Sequence, residues 1–243
     1  MDFKYKTIVI SDLHLGTKDA KVKEVIKFLK HNSCQNLIMN GDIIDGWHLK
    51  QTGTWRKKDT KFFKFILKLL AKHKTNIFYI KGNHDAFINN IAPLILPNFQ
   101  ILDEMIYESF GKRYVVTHGD LFDSTNKMLW LSKLGGIGYD LLLAYNRWYN
   151  YRRMKKGLPY KSISKYWKEN VKVIVNFLSK FEKHVKEYAI LKECDGVISG
   201  HVHKPMIKDI EGITYLNSGD WVESLSALTE DFDGKWKIYE YYK

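Results

Sequence analysis

Five short clusters of His, Asp and Asn, four of which contain glycine, stand at intervals along the chain. They are Asp12-Leu13-His14, Gly41-Asp42-Ile43-Ile44-Asp45, Gly82-Asn83-His84-Asp85, His118-Gly119-Asp120 and Gly200-His201-Val202-His203. Imidazole and carboxylate ligands together are typical of Mn²⁺, Fe²⁺ or Zn²⁺ sites, and the lack of cysteine in the clusters argues against a structural zinc site. One cluster alone would be weak evidence, because Asp and His also cap helices and turns. Five together predict a site for two divalent metal ions.

Short apolar runs come directly before the clusters and predict the strands that position them. The predicted strands are residues 7–10, 36–39, 77–80, 114–117, 196–198 and 213–216. Helical spacing at residues 22–29 and 62–70 alternates with the first three of these runs, which indicates an α/β fold. Open α/β sheets bind ligands beyond the carboxyl ends of their strands, so we expect the clusters to meet in space.

The alternating pattern is interrupted by an insertion over residues 124–191, which divides a core of residues 1–123 and 192–243. Residues 128–151 are rich in Leu, Trp and Tyr and precede Arg152-Arg153-Met154-Lys155-Lys156. Apolar residues at alternating steps of four and three over 167–188 predict a helix with one apolar stripe. The helices of the insertion either pack on each other and on the edge of the sheet, or they present a surface to lipid or acyl chains.

The chain is basic, with 39 Lys and Arg against 27 Asp and Glu and a net charge of +12. Residues 126–192 hold 15 of the basic residues and only 4 of the acidic ones. Such a surface attracts nucleic acid, anionic lipid headgroups or phosphorylated substrates, or it is a solvated helical face. Charge alone does not choose among these interpretations.

The rest of the composition is typical of a globular protein of 243 residues. No apolar run reaches the roughly 20 residues that span a bilayer. Since the first residues also lack the pattern of a signal peptide, we expect a cytoplasmic location. Cys34 and Cys194 lie far apart and outside the clusters, which favours buried free thiols. No pattern fixes the oligomeric state.

The order of the clusters resembles the calcineurin-like metallophosphoesterase superfamily over nearly the whole chain. This resemblance implies a four-layer αββα sandwich, with two facing mixed sheets, and a helical cap insertion. It implies that one metal is bound by Asp12, His14 and His203, the other by Asn83, His118 and His201, and that Asp42 bridges the two.

Two cations about 3.5 to 4 Å apart can activate a hydroxide, bind phosphoryl oxygens and neutralise the charge of an in-line displacement. We assign His84, beside Asn83, to stabilise the transition state or to protonate the leaving oxygen. Asp45 is expected to orient His84. The alternative is that Asp45 fixes the tautomer of a metal-binding histidine.

A narrower resemblance is carried by motifs outside the metal clusters. They are Asp45-Gly46-Trp47, His118-Gly119-Asp120-Leu121-Phe122-Asp123, Gly157-Leu158-Pro159-Tyr160 and Asn217-Ser218-Gly219-Asp220-Trp221-Val222-Glu223-Ser224. They resemble the UDP-2,3-diacylglucosamine pyrophosphatase family, whose members act in lipid A biosynthesis. The resemblance implies cleavage of UDP-2,3-diacylglucosamine to UMP and 2,3-diacylglucosamine 1-phosphate, a cap that receives acyl chains, and peripheral attachment to the inner membrane face.

For this reaction we expect two Mn²⁺ ions, with Fe²⁺ or Zn²⁺ as alternatives. Substrate contacts are expected from Asn83, His84, Asp123, Arg152 and Arg153. His84 departs from the best-known branch of the family, which has Arg in the Gly-Asn-x-Asp cluster.

Two other functions stay open. One is a phosphodiesterase acting on another nucleotide or on a phospholipid. The other is a nucleic-acid-binding module in which Trp130, Trp148 and Arg152 of the insertion stack on bases or contact phosphates. Protein phosphatase activity is disfavoured, because Ile-Ile-Asp-Gly-Trp after Asp42 differs from the Tyr-Val-Asp-Arg-Gly of serine/threonine phosphatases.

Overall fold

The computed structural model describes residues 3–122, 152–153, 155–157 and 180–242. The chain forms two compact units, a larger one of residues 1–121 and 185–243 and a smaller one of residues 122–184. In the smaller unit, residues 152–153, 155 and 180–184 are helical, and the rings of Phe122 and Phe181 meet edge to face. Most of the expected helical cap lies outside the described residues, so the cap and its boundaries remain predictions.

The larger unit is a mixed α/β structure with two sheets. Its strands are β1 (Tyr5–Ile10), β2 (Cys34–Asn40), β3 (Asn76–Ile80), β4 (Leu94–Leu96), β5 (Phe99–Leu102), β6 (Met105–Ser109), β7 (Lys112–Val116), β8 (Gly196–Ser199), β9 (Met206–Ile210), β10 (Ile213–Asn217), β11 (Ser226–Glu230) and β12 (Trp236–Glu240). Its helices include α1 (Val22–His31), α2 (Gly46–Thr52) and α3 (Lys57–Lys68), and residues 185–191 are also helical. No helix among the described residues is long and apolar enough to cross a bilayer.

The seven-stranded sheet has the order β12-β11-β1-β2-β3-β5-β4, and the five-stranded sheet has the order β6-β7-β8-β10-β9. Strands β1, β2 and β3 are parallel neighbours, and β8 is parallel to both β7 and β10. Each of the five clusters follows one of these strands. The fold class expected from the sequence is therefore confirmed as a mixed α/β structure with two sheets.

Alternating side chains of the central strands build two cores, because successive residues of a strand point to opposite faces. Ile8 and Ile10 pack with Phe28 of α1 and Phe62 of α3 on one face of the larger sheet. Val9 on the other face joins a second core with residues of the smaller sheet. The larger sheet is thus covered by helices on one side and by the smaller sheet on the other, which fixes the two sets of strand ends near each other.

The predicted elements differ from the structure mainly at their ends. The helix expected at residues 62–70 begins at Lys57 and ends at Lys68, and a π-helical turn follows over Leu69–His73. The backbone N–H of Arg56 donates to Asp59 Oδ2 at 3.0 Å, which caps this helix at its earlier start. Both cysteines are buried free thiols, as expected.

Candidate metal centre

The loops that carry the clusters are joined by backbone hydrogen bonds. The N–H of Asp12 donates to the carbonyl of Gly41 at 3.1 Å, and the N–H of His14 donates to that of Asp42 at 3.0 Å. In the smaller sheet, the N–H of Gly200 donates to the carbonyl of His118 at 2.9 Å. These bonds bring together side chains that lie far apart in the sequence.

Asp12, His14 and His203 form the first group, and their ligand atoms lie within 4.8 Å of one another. His203 Nε2 is 3.1 Å from Oδ1 of the fully buried Asp12, and Oδ2 of Asp12 accepts a hydrogen bond from the N–H of His201. Burial would raise the pKa of Asp12, but the nearby His203, His118 and His14 lower it well below the usual range. The site is therefore built to keep this carboxylate ionised beside a cation.

Asp42, His118 and His201 form the second group. His118 Nδ1 donates to the carbonyl oxygen of Asn40 at 3.0 Å, so Nε2 is the nitrogen that faces Asp42, at 3.2 Å from Oδ2. Burial would lower the pKa of His118, but the charge of Asp42 raises it to about 10. The hydrogen bond to Asn40 fixes Nδ1 as a donor, so Nε2 is the atom that would bind a metal ion on losing its proton.

Asn83 adds an uncharged oxygen beside the second group. Its Oδ1 is buried and accepts no hydrogen bond from the described residues. The backbone N–H of the next residue, His84, donates to Asp42 Oδ1 at 2.8 Å, which holds the two loops against each other. A buried amide oxygen without a donor is costly unless a cation or water binds it.

The arrangement fits two divalent cations. Oδ1 of Asn83 is a buried acceptor without a donor among the described residues, and Oδ1 of Asp12 is buried with His203 Nε2 at 3.1 Å. Burial would raise the pKa of Asp42, but His118 lowers it below its usual value, and the charge of Asp12 opposes this lowering, which shows that the two carboxylates lie close together. Two carboxylates this close, each beside a histidine, are stabilised by positive charge between them.

Asp45 connects a third group of side chains. His14 Nδ1 donates to Asp45 Oδ2 at 3.2 Å, and His84 Nδ1 lies 3.1 Å from Asp45 Oδ1. The same Oδ1 accepts from the N–H of His48 at 2.8 Å, because Asp45 is the N-cap of α2. Both carboxylate oxygens are thus used, and Asp45 contacts one predicted metal ligand and the predicted catalytic histidine.

The pKa values of the third group follow from these contacts. Burial would raise the pKa of Asp45, but the contacts with His14 and His84 and the hydrogen bond from His48 lower it far below its usual range. Burial would lower the pKa of His84, but Asp45 and Asp42 raise it. Trp47, the second residue of α2, lies against the ring of His84 with centroids 4.1 Å apart.

The centre stores backbone strain. Residues with positive φ are common here: Asp12 (52°), His14 (47°), Asp42 (52°), His201 (63°) and His203 (56°). Such conformations cost about 1 kcal/mol or more each for a residue with a side chain, and they cluster at functional sites. These backbone conformations turn the side chains that follow β1, β2 and β8 toward a common point.

Three supporting residues were missed in the sequence, and each depends on contacts between distant segments. Asn40 Nδ2 donates to the carbonyl of Thr117 at 3.0 Å, so this side chain ties β2 to the end of β7. Asp220 lies 3.8 Å from His203 Nδ1, and Trp47 stacks on His84. The only sequence signal was that Trp47 and Asp220 belong to motifs already quoted, without a role attached.

The predicted substrate contacts are placed only in part. Asn83 and His84 lie at the metal centre, as described above. Asp123 lies outside the described residues. Arg152 and Arg153 belong to the helical residues of the smaller unit, where Arg152 is exposed and Arg153 is partly buried. Their contacts with substrate remain predictions.

Known proteins resemble this chain over most of its length. The UDP-2,3-diacylglucosamine hydrolase of Neisseria gonorrhoeae is 26% identical over 251 aligned residues, covering 93% of this chain and 94% of the relative. The protein of the same name from Aeromonas hydrophila is 22% identical and covers 91% of this chain and 93% of the relative. A solved structure of Yfce, a phosphoesterase from E. coli, is 16% identical, with a TM-score of 0.48 and coverage of 96% and 98%. The calcineurin-like phosphoesterase family matches residues 5–205, and the chain therefore belongs to this family of metal-dependent hydrolases.

Proposed function

We propose that this chain hydrolyses UDP-2,3-diacylglucosamine to UMP and 2,3-diacylglucosamine 1-phosphate in lipid A biosynthesis. The observation that carries the proposal is the similarity to hydrolases named for this substrate. The alignment covers 93% of this chain and 94% of the relative. The geometry of the metal centre supports the same reaction class, because cleavage of a pyrophosphate needs concentrated positive charge at the phosphoryl oxygens.

The residues of the centre divide into two sets of ligands. One ion would be held by Asp12, His14 and His203, and the other by Asn83, His118 and His201. Asp42 would contact both ions. When bound, two divalent ions supply an activated water and charge neutralisation for an in-line displacement at phosphorus. The mixture of imidazole, carboxylate and amide ligands suits Mn²⁺, with Fe²⁺ or Zn²⁺ as alternatives.

His84 contributes a positioned N–H group. Because Nδ1 is held by Asp45, the other nitrogen, Nε2, faces the centre and lies 3.9 Å from Asp42 Oδ2. From this position it donates a hydrogen bond to a phosphoryl oxygen or gives its proton to the leaving oxygen. Asp45 orients both His84 and His14, so the two roles considered for it from the sequence are compatible.

The remaining parts of the proposal concern the smaller unit and the membrane. Asp123, Arg152 and Arg153 would contact the sugar phosphate, and the insertion would receive the acyl chains. A substrate with two acyl chains resides in a membrane, so the protein would act in the cytoplasm as a peripheral protein on the inner membrane face.

A second candidate is hydrolysis of another nucleotide or of a phospholipid phosphodiester. The observation that favours it is His84, which stands where the best-known branch of the resembling family has Arg. Arginine can bind two phosphate oxygens at once, whereas a histidine nitrogen offers a single N–H. A different leaving group would suit this change.

The decisive experiment follows UMP release. The Mn²⁺-loaded protein is incubated with UDP-2,3-diacylglucosamine in detergent, beside the His14→Ala variant and with bis(p-nitrophenyl) phosphate as a second substrate. We expect UMP release well above that of the variant. If only bis(p-nitrophenyl) phosphate is hydrolysed, the lipid substrate is rejected and the second candidate is favoured.

A further inference from the structure

Helices α1 and α3 each carry a row of exposed lysines at helical spacing. The rows are Lys23, Lys27 and Lys30 on α1, and Lys57, Lys61, Lys64 and Lys68 on α3. Steps of four and three place each row on one side of its helix. The buried residues, such as Phe28 and Phe62, pack into the core on the other side. Both rows therefore point to solvent.

The two rows belong to one surface, because the helices lie side by side and run in the same direction. At their first turns, Lys58 Nζ of α3 donates to the carbonyl of Ala20, just before α1, at 2.8 Å. Burial, together with the charges of Arg56 and Lys21, lowers the pKa of Lys58. At the other end, Lys30 and Lys68 line the same cavity. We call the seven lysines of the two rows the lysine face.

The larger unit is close to neutral overall, but its basic and acidic residues are concentrated in different parts of the unit. Residues 18–31 and 56–74 contain 13 Lys and Arg but three Asp and Glu, and the rest of that unit contains 13 basic and 20 acidic residues. One of the three acids, Asp59, is buried and paired with Arg56. Within the part of the chain that the structure describes, no lysine of the lysine face has a carboxylate within ion-pair distance.

The lysine face also offers apolar surface. The cavity between the ends of α1 and α3 has a volume of about 280 Å³, and Leu29, Phe65 and Leu69 line it together with the two lysines. Near the end of α3 the side chain of Leu67 is 62% exposed, and just before the start of α3 that of Trp55 is 41% exposed. Apolar side chains among lysines are typical of surfaces that enter the headgroup region of a bilayer.

We propose that the lysine face docks the protein on a membrane surface that contains anionic lipid. Seven lysines attract the negative surface of a leaflet, while Leu67 and Trp55 enter its interface. A nucleic acid fits less well, because stacking of several bases needs several exposed aromatic rings, and Trp55 is the one that is clearly exposed beside the lysine face among the described residues. The proposal holds whether the substrate is a lipid or a soluble nucleotide.

The test compares two triple variants of the full chain in vesicle flotation. One variant changes the lysine face (Lys27→Gln, Lys61→Gln and Lys64→Gln), and the matched control changes exposed lysines elsewhere in the larger unit (Lys112→Gln, Lys208→Gln and Lys235→Gln). Vesicles contain phosphatidylcholine alone or mixed with phosphatidylglycerol. A lysine near an anionic leaflet strengthens binding about fivefold, so the lysine-face variant should bind the mixed vesicles about a hundredfold more weakly. The control should bind like the unchanged protein.

Other outcomes overturn the proposal. Equal loss in both triple variants would mean that net charge alone matters. Loss in an Arg152→Gln, Arg153→Gln variant, with full binding of the lysine-face variant, would place the contact in the smaller unit. Tighter binding to an RNA or DNA duplex than to the mixed vesicles at the same salt would identify a nucleic acid as the partner. Hydrolysis of bis(p-nitrophenyl) phosphate should be the same in both triple variants, which shows that they are folded.

Discussion

The indole ring of Trp47 lies against the imidazole of His84, with ring centroids 4.1 Å apart and planes inclined by 33°. At Nδ1 the same imidazole contacts Asp45, which is the N-cap of α2. One helical turn therefore supplies both the carboxylate and the ring that fix His84. The start of α2 is therefore part of the proposed reaction centre.

Trp47→Leu should lower kcat about tenfold, because His84 loses a stacking contact that limits its orientation. Trp47→Phe keeps an aromatic ring and should stay within about twofold of the unchanged protein. The measurement is kcat and KM for bis(p-nitrophenyl) phosphate, with Trp55→Leu as the matched control. A rise in KM at constant kcat would show that Trp47 binds substrate and does not position His84.

His84→Ala should lower kcat by about 10² to 10³ while the bound metal stays at the level of the unchanged protein, because a positioned proton donor contributes about this much. His84→Arg should recover part of the loss by donating to the same oxygen. Metal analysis beside steady-state kinetics checks both statements. Loss of metal in the alanine variant would make His84 a ligand and would contradict its assignment.

Asp42→Asn should remove metal from the protein. The side chain is buried between His118 and the backbone N–H of His84, and a neutral amide cannot balance two divalent charges there. We expect less than one bound ion per chain by mass spectrometry and no rise of the melting temperature on addition of Mn²⁺. Asp209→Asn, at an exposed position of β9, is the control and should retain full metal and the Mn²⁺-dependent rise.

Gly82→Ala should damage the centre without replacing a ligand. A Cβ at this position would lie 2.2 Å from Asp42 Oδ1 and 2.5 Å from its backbone nitrogen, so the loop after β3 must move away. We expect a loss of about 2 kcal/mol in the free energy of unfolding, together with weaker metal binding. Gly111→Ala meets no neighbour within 4 Å and suffers only from its φ of 72°, so it should lose about 1 kcal/mol and keep its metal. Similar metal affinities in the two variants would contradict the close approach of the loops.

The positions of the clusters could be read from the sequence, since each follows an apolar run that ends in a turn. The strands at residues 7–10, 36–39 and 77–80 were predicted within a few residues of β1, β2 and β3. Because parallel strands place their carboxyl ends at one edge of a sheet, the meeting of the clusters could be predicted from the strand ends without the strand order. Helical spacing predicted the approximate position of α3, and the position of the two cysteines outside the clusters predicted buried free thiols.

The contacts that orient the centre could not be predicted, because they join segments from different sheets. Asn40 reaches Thr117 across the sheets, and nothing in its neighbourhood announces this partner. Strand β11 was missed for a similar reason. Its last residue, Glu230, is charged yet fully buried, because Tyr107 and Ser109 of the smaller sheet donate hydrogen bonds to its carboxylate. A strand with a buried polar residue that pairs with distant partners is not predicted from the alternation of apolar and polar residues.

The thiol of Cys34 should make stability fall in alkali. Burial raises its pKa from 9.0 to about 12, so between these values the unfolded chain releases a proton that the folded chain keeps. Stability from this group is fully present below pH 9 and is lost as the pH rises toward 12. From pH 8 to pH 10 the unchanged protein should lose about 1.4 kcal/mol more in its free energy of unfolding than Cys34→Ala, in which other alkaline titrations are preserved. Urea unfolding at both pH values measures this difference, and parallel losses in the two proteins would mean that the buried thiol ionises as readily in the folded chain as in the unfolded one.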